Sequence, residues 1–394
     1  MNKKIFLGGV ATGIISSIAA ICVINFASSA IAVKSGDLSI TDKISYISSI
    51  INEYYVEDVD VNKLEEGIYD GLVASLNDPY SVYYTPEEMK NVLETTGGTF
   101  GGIGVNIQYN LNTGEMTVLS PMAGTPAEKA GLMSGDIIKK VNGQDIAGMD
   151  SDMAVSLIRG EAGTSVELTI YRPSEEKEFN VSMERAEIEV DSVTSTVLED
   201  DIGYIYISGF KGNTVDQFNE HYDKLRAEGI KGLIIDVRDN PGGVLNVVEE
   251  IADKLIPEGL VVYTVDKNGN RNDYMSDAEA IDIPLVVLVN GNSASASEIL
   301  AGAVQDSGTG VIVGTQTYGK GCVQNLYKIP DGSGVKVTIQ KYYTPSGVCI
   351  HGVGITPDYV VENEMIDLNS ITSTGEYIDN QLTKAIEIIE EQTK

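Results

Sequence analysis

The chain has 394 residues, of which 42% are hydrophobic, 22% are charged and 41 are glycine, and a globular protein of that length is expected to form two or three domains. Asp and Glu total 58 against 27 Lys and Arg, giving a net charge of −31, which excludes an ordinary nucleic-acid-binding protein because phosphate affinity comes largely from Lys and Arg. The two His and three Cys disfavour a zinc site, and no metal or cofactor is expected.

The N-terminal segment, residues 1–34, is predicted to be a membrane anchor. Lys3 and Lys4 precede an uncharged, mostly apolar run that lasts until Lys34, and a bilayer is spanned by about 20 such residues. Basic residues before the run and acidic residues after it place the N-terminus in the cytoplasm, so the body is expected to be exported. A cleaved signal peptide is the alternative, since Ala30-Ile31-Ala32 has the pattern of a cleavage site.

Residues 35–96 are predicted to be a helical region. Apolar residues recur at helical spacing over residues 41–56, and a second helix fits Leu64–Leu76. The segment Asn77-Asp78-Pro79 should end that second helix. A third helix is expected to begin at Pro86, because proline is favoured in the first turn of a helix.

A glycine-rich stretch opens the next unit, which is predicted to cover residues 97–185. Short strands and two short helices follow it. The strands are expected at Gly104–Tyr109, Met116–Ser120, Asp136–Val141, Val166–Tyr171 and Phe179–Met183, and the helices at Pro126–Ala130 and Ser151–Ile158. This unit resembles a PDZ domain, most clearly in residues 126–132, 135–138 and 141–143.

The PDZ resemblance implies a site for extended C-terminal peptides. PDZ domains add the peptide as a strand to an exposed sheet edge and capture its carboxylate on backbone amides. The peptide-binding residues implied here are Gly101, Gly102, Ile103, Gly104 and Val105. The alternative is that these glycines only allow a tight turn. Arg159, at the end of the second helix, is a candidate contact between this unit and the next, although an ordinary helix-end cation, favoured by the helix dipole, is the preferred interpretation.

Residues 186–360 alternate strands with helices, which is typical of an α/β layer. The strands are expected at Ile202–Ile207, Gly232–Val237, Pro284–Val289 and Val311–Gly314, and the helices at Thr214–Ala227, Leu245–Leu255 and Ala296–Gln305. The C-terminal segment, residues 361–394, is predicted to contain one more acidic helix at Tyr377–Glu391. The chain is therefore expected to be an α/β multidomain protein.

Three segments of this α/β region carry residues suited to nucleophilic catalysis. Ser293, Ser295 and Ser297 lie in a small-residue turn between a strand and a helix, where free helix N–H groups favour developing negative charge. The Gly242-Gly243 turn can bring another backbone N–H close. Lys320 lies between two glycines, and it can act as a base if burial lowers its pKa.

Taken together, these segments resemble the carboxy-terminal processing, or tail-specific, proteases, a Ser–Lys peptidase family. The resemblance runs from about Ile44 to Asp358 and includes the order of helical region, PDZ domain and catalytic core. It implies a core with the crotonase/ClpP fold. The motifs that carry it are Gly203-Tyr204-Ile205, Asp236 to Gly243, Ser293 to Ile299, Gly319-Lys320-Gly321 with Gln324, and Tyr342 to Gly347.

The resemblance implies a role for each matching residue. Ser295 would be the nucleophile, Lys320 the general base, and Gln324 the group that orients that lysine. The oxyanion donors would be the N–H of Ala296 and that of Gly242 or Gly243, a choice that the sequence leaves open. Glu298 matches an acidic residue near the site whose role is undefined.

Two other functions remain open: a catalytically silent, anchored PDZ protein that only binds tails, and a crotonase-like acyl-CoA enzyme. The partners expected are protein or peptide substrates with free C-termini, a membrane reached through the N-terminal segment, and no nucleic acid; a homo-oligomer is left open. His351 is a rival base. A disulfide between Cys322 and Cys349 is also open, since an exported body allows one.

Overall fold

The structure is a computed structural model, and it describes residues 38–110, 113–277, 280–362 and 379–394. The predicted membrane anchor at residues 1–34 lies outside them. Within those four ranges, no helix combines the length and apolar character that a membrane crossing requires. The chain divides into two compact units, one ending at Leu72 and the other beginning at Val73.

The described helices are α1 (Ile40–Tyr54), α2 (Val61–Ala74), α3 (Pro86–Gly97), α4 (Pro126–Lys129), α5 (Ser151–Ile158), α6 (Thr214–Glu228), α7 (Leu245–Leu255), α8 (Ala296–Ser307) and α9 (Asn380–Thr393). The strands are β1 (Val82–Tyr84), β2 (Thr99–Gly102), β3 (Val105–Asn110), β4 (Glu115–Pro121), β5 (Ile137–Val141), β6 (Gln144–Asp145), β7 (Ser165–Arg172), β8 (Lys177–Glu184), β9 (Ala186–Glu189), β10 (Val193–Val197), β11 (Ile202–Ile207), β12 (Gly232–Asp236), β13 (Gly259–Asp266), β14 (Arg271–Ser276), β15 (Leu285–Val289), β16 (Gly310–Gly314), β17 (Cys322–Lys328), β18 (Gly334–Tyr343) and β19 (Tyr359–Val360).

The helices predicted before residue 97 are confirmed within a few residues at their ends. α3 begins at Pro86, as its position in the sequence indicated. Its start is fixed by a reciprocal pair of hydrogen bonds, in which the Glu88 N–H donates to the Thr85 hydroxyl and the Thr85 N–H donates to the Glu88 carboxylate. Such a capping box satisfies two N–H groups that a helix start would otherwise leave without a partner.

The PDZ unit is an antiparallel sheet in the strand order β3-β4-β5-β7-β8, with β6 paired to β5. Its core is built from strand residues such as Val118, Ile138 and Leu168 and from Ala154 and Ile158 of α5, all of them buried. The predicted strands and both helices are confirmed. β3 lies at the edge of this sheet, and β4 is its one strand neighbour in the described part of the chain.

The α/β region of residues 186–360, which the resemblance implies is the catalytic core and which is called the catalytic region below, is built on a six-stranded sheet. Its strand order is β10-β11-β12-β15-β16-β19. β10 runs antiparallel to β11, and the other pairs are parallel. The central strands are buried on both faces, so they read as continuous apolar runs. Leu233 and Ile235 pack in a cluster with α6, α7 and α8, whereas Ile234 packs in a second cluster with α9. The predicted α/β layer is therefore confirmed.

A second, antiparallel sheet in the order β1-β18-β13-β14, with β17 paired to β18, was not predicted. Its residues Val261, Val262 and Tyr342 belong to the same hydrophobic cluster as α7 and α8. β1 precedes the PDZ unit in the chain, yet Val82 pairs with Lys336 of β18. The PDZ unit is thus inserted into the catalytic region. β2 leads into the PDZ unit and β9 leads out of it, and these two strands pair with each other as a short ribbon.

Candidate active site

The three serines of the small-residue turn before α8 differ in burial and in what their hydroxyls bind. Ser293 and Ser297 are fully buried, and their hydroxyls donate to the carbonyls of Val237 and Asn240 at 2.8 and 2.9 Å. Ser295 is only half-buried and lies at the N-cap of α8 with φ 57° and ψ −113°. Non-glycine residues seldom adopt such a conformation, which costs on the order of 1–3 kcal/mol and is concentrated at functional sites.

Lys320 lies in the loop between β16 and β17, and its side chain is half-buried. Burial is the main cause that lowers its pKa, and Lys336 lowers it further, whereas Cys322 and the carboxylates of Glu298 and Asp78 act in the opposite direction. The net direction is downward, which favours a neutral amine able to accept a proton.

The glycines beside Lys320 allow the close packing that the sequence suggested. Gly319 has φ 88°, and a Cβ on Gly321 would lie 2.3 Å from the His351 nitrogen. A side chain at either position would therefore push the loop away from the neighbouring segment.

Glu298 joins the serine turn to the lysine loop. It is fully buried, and its carboxylate accepts four hydrogen bonds. One oxygen accepts the Ser295 N–H at 2.8 Å and the Lys320 N–H at 2.9 Å. The other accepts the Thr317 hydroxyl at 2.6 Å and the Gly319 N–H at 2.7 Å. The acidic residue whose role the sequence left undefined therefore fixes the backbone on both sides of the site.

We expect Glu298→Gln to lower both stability and activity. An amide has one acceptor oxygen, so its NH₂ group would face donors that the second carboxylate oxygen now satisfies. Losing buried partners of this kind costs about 1–3 kcal/mol for each group. Thermal unfolding should show a lower midpoint, and cleavage of an unstructured protein should fall at least about tenfold.

Asp306→Asn is the matched control for that variant, because Asp306 lies exposed in the last turn of the same helix. It removes an acidic charge from α8 without touching Ser295 or Lys320. Wild-type activity and stability in Glu298→Gln would show that the carboxylate does not hold the two loops.

Tyr342 contributes a third link, from β18. Its hydroxyl donates to the Lys320 carbonyl oxygen. Burial and the charge of Glu298 raise its pKa well above the usual range, and a hydrogen bond with the Ser295 side chain acts against that rise. A neutral phenol is therefore fixed between the lysine loop and the serine turn. The sequence placed Tyr342 in a family motif but gave it no role.

The two candidate glycines for the oxyanion hole differ in whether their N–H is available. The Gly242 N–H donates to the Asn240 side chain at 2.8 Å, whereas within the described residues the N–H groups of Gly243 and Ala296 have no acceptor. A Cβ on Gly242, where φ is 100°, would lie 2.6 Å from the Ala294 carbonyl oxygen and 2.9 Å from the Ala296 nitrogen. Gly242 therefore lets its loop approach the serine turn, and Gly243 carries the free donor.

The side-chain amide of Gln324, which the resemblance implied would orient Lys320, binds neighbours on β17 and β18. Its amide nitrogen lies 3.1 Å from the Cys322 sulfur and 3.2 Å from the Cys322 carbonyl oxygen, and it donates to the Thr338 hydroxyl at 3.3 Å. Its orienting role toward Lys320 stays a prediction. Cys322 is buried, Cys349 is half-buried, and both thiols are free, so the disulfide left open by the sequence is not formed here.

The two histidines lie in different places. The His221 ring nitrogen Nδ1 hydrogen bonds to the Ser195 hydroxyl of β10 at 2.7 Å. His351 is exposed, and its ring packs edge-on against Tyr80 with centroids 6.4 Å apart. In the described ranges, no group of three or more His, Cys, Asp or Glu is placed to hold a metal ion.

Three of the five predicted peptide-binding residues, Gly101, Gly102 and Ile103, make contacts within the protein itself. Gly101 and Gly102 pair with Glu187 and Ala186 of β9. The Ile103 side chain is 1% exposed inside the PDZ core, so of this predicted peptide-binding residue only the backbone faces the loop. β3 starts at Val105, directly after this loop, and β4 is the strand that pairs with it among the described residues.

Arg159 stacks on the ribbon that connects the PDZ unit to the catalytic region. Its guanidinium lies 4.5 Å from the centre of the Phe100 ring in β2. The side chain was a candidate contact between the two units. In the structure it binds the connecting strand, beside the hydrogen bond from the Gly160 N–H to the Gly101 carbonyl oxygen.

Three family models match the chain. Residues 201–361 match peptidase family S41, residues 117–172 match a PDZ domain, and residues 24–88 match the activating protease CtpB N-terminal domain. The carboxy-terminal processing protease CtpB of Bacillus subtilis is 39% identical over 326 residues, covering 82% of this chain and 68% of that protein. The chain belongs to the carboxy-terminal processing protease family.

Further comparisons agree with this membership. The carboxyl-terminal-processing protease of Synechocystis is 38% identical to this protease over 324 residues, covering 81% of this chain and 75% of the relative. A crystal structure of an S41 protease from Bacteroides fragilis superposes with a TM-score of 0.50 at 16% identity, covering 92% of this chain and all of that one. That second likeness concerns the fold alone. The protease thus belongs to a family of serine peptidases and carries a PDZ domain.

Proposed function

We propose that this protease cleaves protein substrates with a Ser295–Lys320 dyad. The observation that carries the proposal is the buried Glu298 carboxylate, which binds the backbone N–H groups of both residues. It brings together a strained, half-buried serine and a lysine whose pKa burial lowers. These are the properties that a nucleophile and its general base need.

In the proposed mechanism, neutral Lys320 takes the Ser295 proton as the serine oxygen attacks the peptide carbonyl. The N–H groups of Ala296 and Gly243, which have no acceptor within the described residues, receive the negative charge that develops on the carbonyl oxygen. Protonated Lys320 then donates to the leaving amine as the peptide C–N bond breaks, and water attacks the acyl–Ser295 ester. Lys320 takes the proton of that water and returns it to the serine oxygen as the acyl group leaves as a carboxylic acid. Every proton in this cycle is carried by the lysine, and no metal takes part.

We expect the PDZ unit to deliver the substrate by its C-terminal tail. Among the described residues, β3 pairs with β4 alone, so we expect an extended peptide to add to its other edge along residues 105–109. The loop at Ile103 and Gly104 lies at the start of that strand, where a carboxylate would arrive. The N-terminal charge pattern, with Lys3 and Lys4 before the apolar run, favours substrates outside the cytoplasm.

Carboxylate capture predicts that a peptide with a free C-terminus binds the full-length Ser295→Ala chain at least about tenfold more tightly than its amidated form. A charge-assisted hydrogen bond is worth about 1.5–3 kcal/mol, and 1.4 kcal/mol corresponds to a tenfold change. Fluorescence anisotropy of labelled peptides measures both affinities. Equal affinities would discard carboxylate capture in favour of side-chain recognition.

The test of the function is cleavage itself. The purified full-length chain is incubated with an unstructured protein, and the fragments are identified by mass spectrometry. Fragments that form with the wild type and not with Ser295→Ala support the peptidase. Binding without fragments would leave the alternative of a catalytically silent PDZ protein.

A further inference from the structure

Tyr80 lies against the amine of Lys320, although it belongs to a different part of the sequence. It comes from the segment between α2 and β1, outside the residues that match peptidase family S41. The Lys320 Nζ atom lies over its ring, 5.1 Å from the centre. A cation within about 6 Å of an aromatic face is attracted to the ring's negative face.

Tyr80 is held in this place by the catalytic region. The Ser81 hydroxyl accepts the Thr338 N–H of β18 at 3.1 Å and donates to the Asp78 carboxylate at 2.6 Å. The Tyr80 N–H donates to the same carboxylate at 3.1 Å. The backbone on both sides of the ring is therefore tied to the sheet beside Lys320.

The Tyr80 ring also borders an open, solvent-filled side of the protein. Tyr80 lines an open cleft of about 430 Å³, together with Tyr318, Gly319 and His351. Burial, with a hydrogen bond to Tyr318, raises the pKa of Tyr80 to about 12. The phenol therefore stays neutral over the pH range in which a base of lowered pKa titrates.

We propose that Tyr80 is a positioning residue whose ring holds the Lys320 amine at the active site and shields it from the water of the cleft. This inference rests on the proposed Ser–Lys function and extends it to a residue outside the peptidase domain. The other charged or titratable groups around the amine are Asp78, Glu298, Cys322 and Lys336. None of them changes in a Tyr80 variant.

The ring has two opposite effects on the amine, and two variants separate them. Tyr80→Ala admits water, which solvates the ammonium, so the pKa of Lys320 should rise by about one unit because burial is the largest cause of its lowering. Tyr80→Leu keeps an apolar cover but removes the negative face, so the ammonium loses an attraction and the pKa should fall. Tyr80→Phe keeps the ring and should leave the pKa unchanged.

The pKa of Lys320 is measured from the pH dependence of its reaction with acetic anhydride, followed by mass spectrometry of the peptide that contains it. The rising limb of kcat/KM against pH is measured in parallel. We expect the rising limb of the Tyr80→Ala profile to move to higher pH, with activity at neutral pH reduced about tenfold. The rising limb of the Tyr80→Leu profile should move to lower pH. Tyr327→Ala is the matched control, since it removes an exposed tyrosine ring from β17 that does not lie over Lys320, and it should leave the rising limb at the wild-type position.

The proposal would be overturned if the rising limb of kcat/KM stayed at the wild-type pH in both Tyr80→Ala and Tyr80→Leu. A shifted limb in Tyr80→Phe would overturn it as well. Circular dichroism shows which variants fold, and either of the two non-aromatic variants is sufficient. The labelling readout needs no catalysis. A shift in the labelling pKa without cleavage by the wild type would therefore reject the peptidase function and support the contact between Tyr80 and Lys320. Cleavage by the wild type with unshifted pH profiles in the variants would support the peptidase function and reject that role of Tyr80.

Discussion

Ser295→Ala should abolish proteolysis and leave the fold unchanged. Alanine removes the hydrogen bond between the Ser295 hydroxyl and Tyr342, but it keeps the Ser295 N–H, which binds the Glu298 carboxylate. Loss of a serine nucleophile typically lowers kcat by on the order of 10⁴-fold or more. Mass spectrometry of a digested unstructured protein measures the loss, and thermal unfolding measures the fold.

Ser293→Ala and Ser297→Ala are the matched controls, because they change the same residue type in the same turn. Each removes a buried hydrogen bond, to Val237 or Asn240, so we expect a stability loss of about 1–3 kcal/mol with measurable cleavage retained at low temperature. Full activity in Ser295→Ala, with activity lost in one of the other two, would move the nucleophile to that serine.

Lys320→Arg should be as inactive as Lys320→Ala. If the lysine only supplied positive charge, arginine would replace it and much activity would survive. A general base must instead lose its proton, and a guanidinium with a pKa above about 12 cannot do so. General-base catalysis contributes on the order of 10²–10⁴-fold, so a loss of that size is expected in both variants.

The pH profile supplies the second half of this test. Only the neutral amine is active, so wild-type kcat/KM should rise with pH as Lys320 deprotonates. Because burial lowers the pKa of Lys320, the rise should be centred below the ordinary lysine value of about 10.4. Substantial activity in Lys320→Arg with an unchanged profile would exclude the lysine base and turn attention to His351.

The helices and strands that could be predicted are those whose sequences carry a local pattern of apolar and turn residues. β11, β12 and β15 are short apolar runs bounded by turns, and they lie within one residue of their predicted limits. α7 matches its predicted range because its apolar residues recur at helical spacing. The Ser295 turn and the Lys320 loop were found because small residues beside a reactive side chain are a local signal.

The remainder depends on contacts between distant segments. β13, β14, β17 and β18 form an antiparallel sheet whose pairing is decided by the core it covers. Tyr80 is brought to Lys320 by pairing of β1 with β18, which no local pattern reveals. The direction of the Gln324 amide, toward Cys322, is likewise set by packing on β17 and β18.

The pairing of β1 with β18 constrains the order in which the chain can assemble. Ser81 and Thr338 are 257 positions apart, so β1 has no partner strand until synthesis has passed the whole PDZ unit and both active-site loops. Such long-range pairing is slow to form, since a large loop must close before the contact stabilises anything. Tyr80 therefore reaches Lys320 only after nearly the entire catalytic region has emerged, and a nascent chain that carries Ser295 and Lys320 is still without it.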